Sequence, residues 1–168
     1  MKGNHSGNVS VKWDGAPAIF AGIDPRDGKF FVAKKGIFNK NPKVYKTNAD
    51  IDADASGDLA EKLKESLKYF SGLGIKGVIQ GDLLFTKSDL KSETIDGVDY
   101  VTFHPNKIVY AVEKDSKDAE EIRKAKIGVV WHTSYIGDSF ENMRASYGVD
   151  VTKLKKNPAV WQQDAMLR

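Results

Sequence analysis

The chain has 168 residues, 40% of them hydrophobic and 29% charged, with a net charge of +3, so it is expected to form one domain with its own core. Cysteine is absent, which excludes a disulfide scaffold, a thiolate zinc site and a cysteine nucleophile; no apolar run approaches the ~18 residues of a membrane span and the amino terminus lacks a signal peptide's apolar core, so a cytoplasmic protein is expected. The basic side is 22 Lys against 4 Arg, point charges suited to phosphates, although the near balance of signs does not by itself argue for nucleic acid.

In chain order, Val9–Trp13, Pro17–Ile23 and Lys29–Lys34 read as short strands rich in Val, Ile and Phe. Asp24-Pro25-Arg26-Asp27-Gly28 is turn chemistry and predicts a hairpin between the second and third. Asn39–Lys46 reads as a basic loop and Asn48–Gly57 as an acidic lead-in carrying Asp50, Asp52 and Asp54. The run lacks the glycine and bidentate glutamate of a calcium loop, and a solvated loop is expected. Leu59, Leu63, Leu67 and Phe70 recur at helical spacing and predict a helix over 58–70, ended by Gly72 and Gly74.

Gly77–Phe85 reads as an apolar strand interrupted by one acid, Asp82. Thr86–Gly97 is polar and predicts a loop. Tyr100–Phe103 and Lys107–Val112 read as strands around the turn His104-Pro105-Asn106. A charged helix is expected over 115–126, a strand over 127–132 and a further helix over 138–146. The last stretch, Lys153–Arg168, shows no stop signal, and its apolar residues have little partner sequence left, so the protein is expected to continue beyond Arg168. Strands and helices interleave through hairpin-like connections, which predicts an α+β fold with twisted antiparallel sheets and flanking helices.

Chemistry concentrates in three places. Alternation in the first strand sets Ser10, Lys12 and Asp14 on the face opposite Val9, Val11 and Trp13, so Lys12 points away from the core just before Gly15. A covalent lysine nucleophile needs that arrangement, and a solvated strand-end lysine shares it. Chance supplies about 0.2 Lys-x-Asp-Gly patterns in a chain of this composition. Lys34-Lys35-Gly36 closes another strand, as either a phosphate-binding pair or a solvated one. Asp82 lies between Ile79 and Leu83, where burial is costly without a partner. A structural salt bridge or exposure on an open sheet face are its alternatives. His5, His104 and His132 lack metal-ligand spacing and read as surface or hydrogen-bonded residues, and Trp13, Trp131 and Trp161 as packing residues.

The order Lys12-Trp13-Asp14-Gly15, Lys34-Lys35-Gly36, Gly81-Asp82-Leu83 and Lys107–Val112 resembles the adenylation (nucleotidyltransferase) domain of ATP-dependent DNA and RNA ligases. The string Lys-Trp-Asp-Gly-Ala-Pro-Ala-Ile-Phe is also similar to ligase-like proteins of large tailed bacteriophages. The resemblance spans about Val9 to Gly137. It implies an ATP-grasp-like nucleotidyltransferase fold over 1–168 and a covalent Lys12–AMP adduct made from ATP with Mg2+. The recipient would be a DNA or RNA end. It further implies that Trp13, Asp14, Gly15, Lys34, Lys35, Gly36 and Asp82 surround the nucleotide. Asp82 would hold the ribose or the metal, and Tyr110 or Phe38 would stack on the base. Three positions depart from the family: Pro17 stands where Arg is common, Ile127-Gly128-Val129-Val130 has isoleucine for the metal-binding glutamate, and the closing Lys-x-Lys is matched by Lys153-Leu154-Lys155, a kind of tripeptide common in this lysine-rich chain. A catalytically degenerate nucleotide- or nucleic-acid-binding protein of the same fold is the alternative these departures leave open.

Overall fold

In the computed structural model, residues 17–103 and 110–165 are described. Strand β1 (Ala18–Ile23) turns back through Asp24–Gly28 into β2 (Phe30–Ala33), as the turn residues predict, with Phe20 opposite Ala33 and Ile23 opposite Phe30. The chain then makes a 3-10 turn over Lys35–Phe38. The acidic lead-in is not a solvated loop. It contains a short helix α1 (Asn48–Asp52), whose first turn is closed reciprocally by Thr47 and Asp50. Helix α2 (Gly57–Phe70) follows at the expected position and buries Ala60, Leu63 and Phe70.

Strand β3 (Val78–Thr86) pairs antiparallel with β1 on one side and with β7 (Ile127–Ile136) on the other. The stretch expected to be a loop is instead a hairpin, β4 (Lys91–Ile95) and β5 (Val98–Phe103), joined through Asp96 and Gly97 with φ of 52° and 82°. Both central residues in the left-handed region define the hairpin turn that Asp-Gly favours. Strand β6 (Tyr110–Glu113) completes this small antiparallel sheet, and α3 (Lys117–Lys124) packs beside it.

The expected helix over 138–146 does not form. Ser139 and Asn142 exchange side-chain-to-backbone hydrogen bonds of 3.1 and 3.2 Å, an alternative to helical bonding, and β8 (Arg144–Tyr147) then pairs with the far half of β7. The final stretch supplies β9 (Val160–Asp164), which lies parallel to the first half of β7. The main sheet thus runs β2-β1-β3-β7, with β8 and β9 sharing the outer edge of β7.

Each face of this sheet has its own core. Ile19, Ala21, Ile79, Leu83, Val129 and Trp131 face α1 and α2. Leu84 and Val130 on the other face meet Val101 and Phe103 of the small sheet and Ala119 and Ile122 of α3. The fold is therefore α+β, with sheets that are antiparallel except for the β7–β9 pair, and flanking helices. Among the described residues, no helix is long and apolar enough to cross a membrane.

Candidate functional site

Residues 12–15 and the side chain of Tyr110 lie outside what is described, so the site is built from what surrounds them. Ala18, the first residue of β1, pairs with Asp82 across to β3. Lys34 and Lys35 leave β2 beside the same end of β1, because Ala33 is opposite Phe20. The strand that follows Gly15, the lysine pair and Asp82 therefore share one rim of the main sheet.

They do not share one face. Lys34 and Lys35 line a cavity of about 340 Å3 with Pro17, Ala18, Ile19, Leu59, Lys62, Leu63 and Leu83. This cavity lies on the α2 side of the sheet. Leu83 lines it, so strand alternation turns Asp82 to the opposite face. Lys34 Nζ is 3.9 Å from Asp54, whose carboxylate also takes Lys43 Nζ at 2.9 Å and accepts a hydrogen bond from the hydroxyl of Tyr45. Those bonds, from Tyr45 first and then Lys43, lower the Asp54 pKa. Lys62 is mostly buried and neutralised by Asp89 at 3.0 Å and Asp58 at 3.2 Å. Burial pulls its pKa down, but the hydrogen bonds and charges of Asp89 and Asp58 together outweigh burial and raise it, so it stays charged. Gly36 sits in the 3-10 turn, where its carbonyl accepts from the amides of Asn39 and Lys43. The cavity offers an apolar floor with ammonium groups at its rim, a combination suited to an anion with an apolar body.

On the opposite face Asp82 pairs with Val130 and lies 3.8 Å from Nε2 of His132, with side-chain exposures of 17% and 22%. Nδ1 of His132 is 2.7 Å from Thr133 Oγ1, and burial pushes the ring's pKa below its ordinary value. The ring also stacks at 6.4 Å on Tyr147, which is exposed. Farther along this face Phe20, Phe38 and Tyr135 form an aromatic trio with centroids 4.8–5.8 Å apart. Tyr135 donates its hydroxyl proton to Gln80 at 2.7 Å. Phe38, a candidate base-stacking residue, therefore belongs to the Asp82 face.

His132 is the member that sequence reasoning passed over. Its signal lies in pairing rather than spacing: once β3 and β7 are adjacent with Asp82 opposite Val130, residue 132 falls within reach of Asp82. Ile127, where the ligase pattern has a metal-binding glutamate, is fully buried in the α2-side core. Among the described residues no group of three His, Cys, Asp or Glu could enclose a metal. The donor set on this face fits a cation held by one or two side chains, the rest of its shell being phosphate oxygens and water.

A family of unknown function, DUF6267, matches residues 1–167. The chain belongs to it. No curated protein and no solved structure matches this DUF6267 chain.

Proposed function

We propose that this DUF6267 protein is a nucleotidyltransferase of the ATP-dependent polynucleotide ligase type. The observation that carries this reading is the β1–β3 register. Ala18, which follows Gly15 by three residues in the sequence, pairs with Asp82, so the described start of β1 lies beside the one acid of β3, and this supports a role for the Lys12-Trp13-Asp14-Gly15 motif there.

In this mechanism the Lys12 amine, once deprotonated, attacks the α-phosphorus of ATP. A P–N bond forms, the bond to the bridging oxygen breaks, and pyrophosphate leaves with the electron pair. The amine loses its remaining extra proton to solvent or to the leaving group. Lys34 and Lys35, on the α2 side of the rim that Asp82 shares from the other face, would attract a triphosphate lying across that rim and favour the neutral amine. Asp82 holds a ribose hydroxyl or the cation. Magnesium, when bound, would neutralise phosphate charge, with Asp82 and phosphate oxygens as its ligands. The adenylate would then pass to the phosphate of a DNA or RNA end.

Incubation with α-labelled ATP and a divalent cation tests the reading. The expected result is covalent label that survives alkali, is lost in acid, disappears in Lys12→Ala and falls at least tenfold in Asp82→Asn. Label persisting in Lys12→Ala would remove Lys12 as the nucleophile. A second reading, a binding protein without turnover, draws on the buried Ile127 in place of the glutamate. It predicts no label, but nucleic-acid binding that weakens with salt.

A further inference from the structure

The nucleotidyl-transfer reading uses Asp82 and gives His132 no role. We propose that His132 Nε2 and Asp82 Oδ1 are two ligands of one divalent-cation site, and that the imidazole makes this site prefer a first-row transition ion over magnesium.

The local backbone prepares the pair. Between Gln80 and Gly81 the β3–β7 register shifts: Gln80 pairs with Thr133 and Gly81 with Trp131, which leaves His132 as an extra residue. A bulge of this kind re-aims a side chain, and bulges recur beside functional sites. Here it puts consecutive side chains, His132 and Thr133, on the Asp82 face. That is why Thr133 Oγ1 can reach His132 Nδ1 at 2.7 Å. In the tautomer whose Nδ1–H donates to that oxygen, Nε2 carries the lone pair, and a hydroxyl in this position fixes ring orientation as outer-shell partners of metal-bound histidines do.

The separation then matters. At 3.8 Å the nitrogen and oxygen are too far apart for a hydrogen bond. Metal bonds of about 2.1 Å to each would subtend roughly 130° at a shared ion. A tetrahedral ion needs the two donors only a few tenths of an ångström closer, whereas octahedral magnesium needs them at roughly 3.0 Å. Imidazole also suits zinc, cobalt and similar ions better than it suits magnesium. The remaining ligands would be water or the oxygens of a bound phosphate.

The use of this ion in catalysis rests on the nucleotidyl-transfer reading; its binding does not. The test is therefore run on the full chain without nucleotide, titrating Co2+ and Mg2+ by calorimetry and following the visible absorption of bound cobalt. The expected result is one Co2+ per chain, not displaced by equimolar Mg2+. Affinity should fall at least tenfold in His132→Gln and in Asp82→Asn, and stay unchanged in a His5→Gln/His104→Gln double variant. Thr133→Val, which keeps both ligands, should weaken cobalt several-fold. His132→Asp should swing the preference toward Mg2+. Wild-type cobalt affinity in His132→Gln, loss of binding in the double variant, or displacement by equimolar Mg2+ would each overturn the proposal. Cobalt binding as predicted with no covalent adenylate would retire the nucleotidyl-transfer reading alone. Adenylate formation with cobalt indifferent to His132 would retire this inference alone.

Discussion

Asp24 is the only buried charged residue among those described, and its carboxylate organises the first hairpin. It accepts from the backbone amide of Arg26 at 2.8 Å, from that residue's Nε at 3.0 Å and Nη2 at 2.8 Å, and it pairs with Lys46 Nζ at 2.9 Å. Burial pushes its pKa up, but the bonds from Arg26 and then Lys46 outweigh burial and hold it well below the usual carboxylate range. The folded pKa is depressed, so the stabilisation is fully present above the unfolded value near 4 and is lost as pH falls through the folded pKa. Asp24→Asn is expected to cost about 3 kcal/mol at neutral pH and to flatten the acid limb of a stability–pH curve, read by urea denaturation from pH 7 to 3. An unchanged acid limb would contradict this account. The Asp-Pro-Arg-Asp-Gly turn was legible in the sequence because its residues act locally. Lys46, which closes the network from beyond the next loop, was not, because a lysine in a basic loop carries no mark of its partner.

Among the elements, those predicted from periodicity formed as expected: β1, β2, α2, β3 and α3 lie within a few residues of where the pattern put them. The β4–β5 hairpin did not show itself. Its first strand is exposed throughout, so no alternation of apolar residues announced it. Thr102 donates to Glu93 and Thr94 to Asp99, each at 2.7 Å, and these polar cross-strand pairs replace an apolar stripe. The one legible signal was Asp96-Gly97 between Ile95 and Val98. The misread helix over 138–146 has the opposite cause: residues with helical spacing were captured by Asp138, Ser139 and Asn142 side chains. Close approach of backbones adds a constraint invisible in any pattern. A β-carbon on Gly22 would lie 2.1 Å from the carbonyl oxygen of Gly77 and 2.7 Å from Val78 Cα. Gly22→Ala is expected to cost at least about 2 kcal/mol, measured as a lower urea midpoint, because backbone rather than a flexible side chain must move. A midpoint equal to wild type would mean that β1 and β3 can separate at that point without loss.

At the scale of the whole molecule, the site residues come from separate parts of the chain, and sequence order alone could not say which face each would occupy. Lys34, Lys35 and Asp82 were legible as candidates. That the lysines open toward α2 while Asp82 opens toward the small sheet follows from register, which only pairing reveals. The lysine side has a further consequence if phosphates of a nucleic acid lie along it. Binding of a nicked duplex should then weaken steeply between 50 and 200 mM salt, roughly as the number of neutralised phosphates dictates. The double variant Lys34→Glu/Lys35→Glu should lower that slope by about 2. Fluorescence anisotropy across a salt series reads both, and a slope unchanged in the variant would move the nucleic acid elsewhere on the surface.

The outer edge of β7 is divided between two later segments, β8 along its second half and β9 along its first. During synthesis the outward-facing backbone amides and carbonyls of residues 127–131, those not turned toward β3, must therefore wait until residues 160–164 have left the ribosome. A chain halted before Val160 would present that row of hydrogen-bonding groups, flanked by Val129 and Trp131, as a template for any passing strand. Completion of this sheet is thus a late event, and the closing strand protects the nascent protein from pairing with its neighbours as much as it stabilises the finished one.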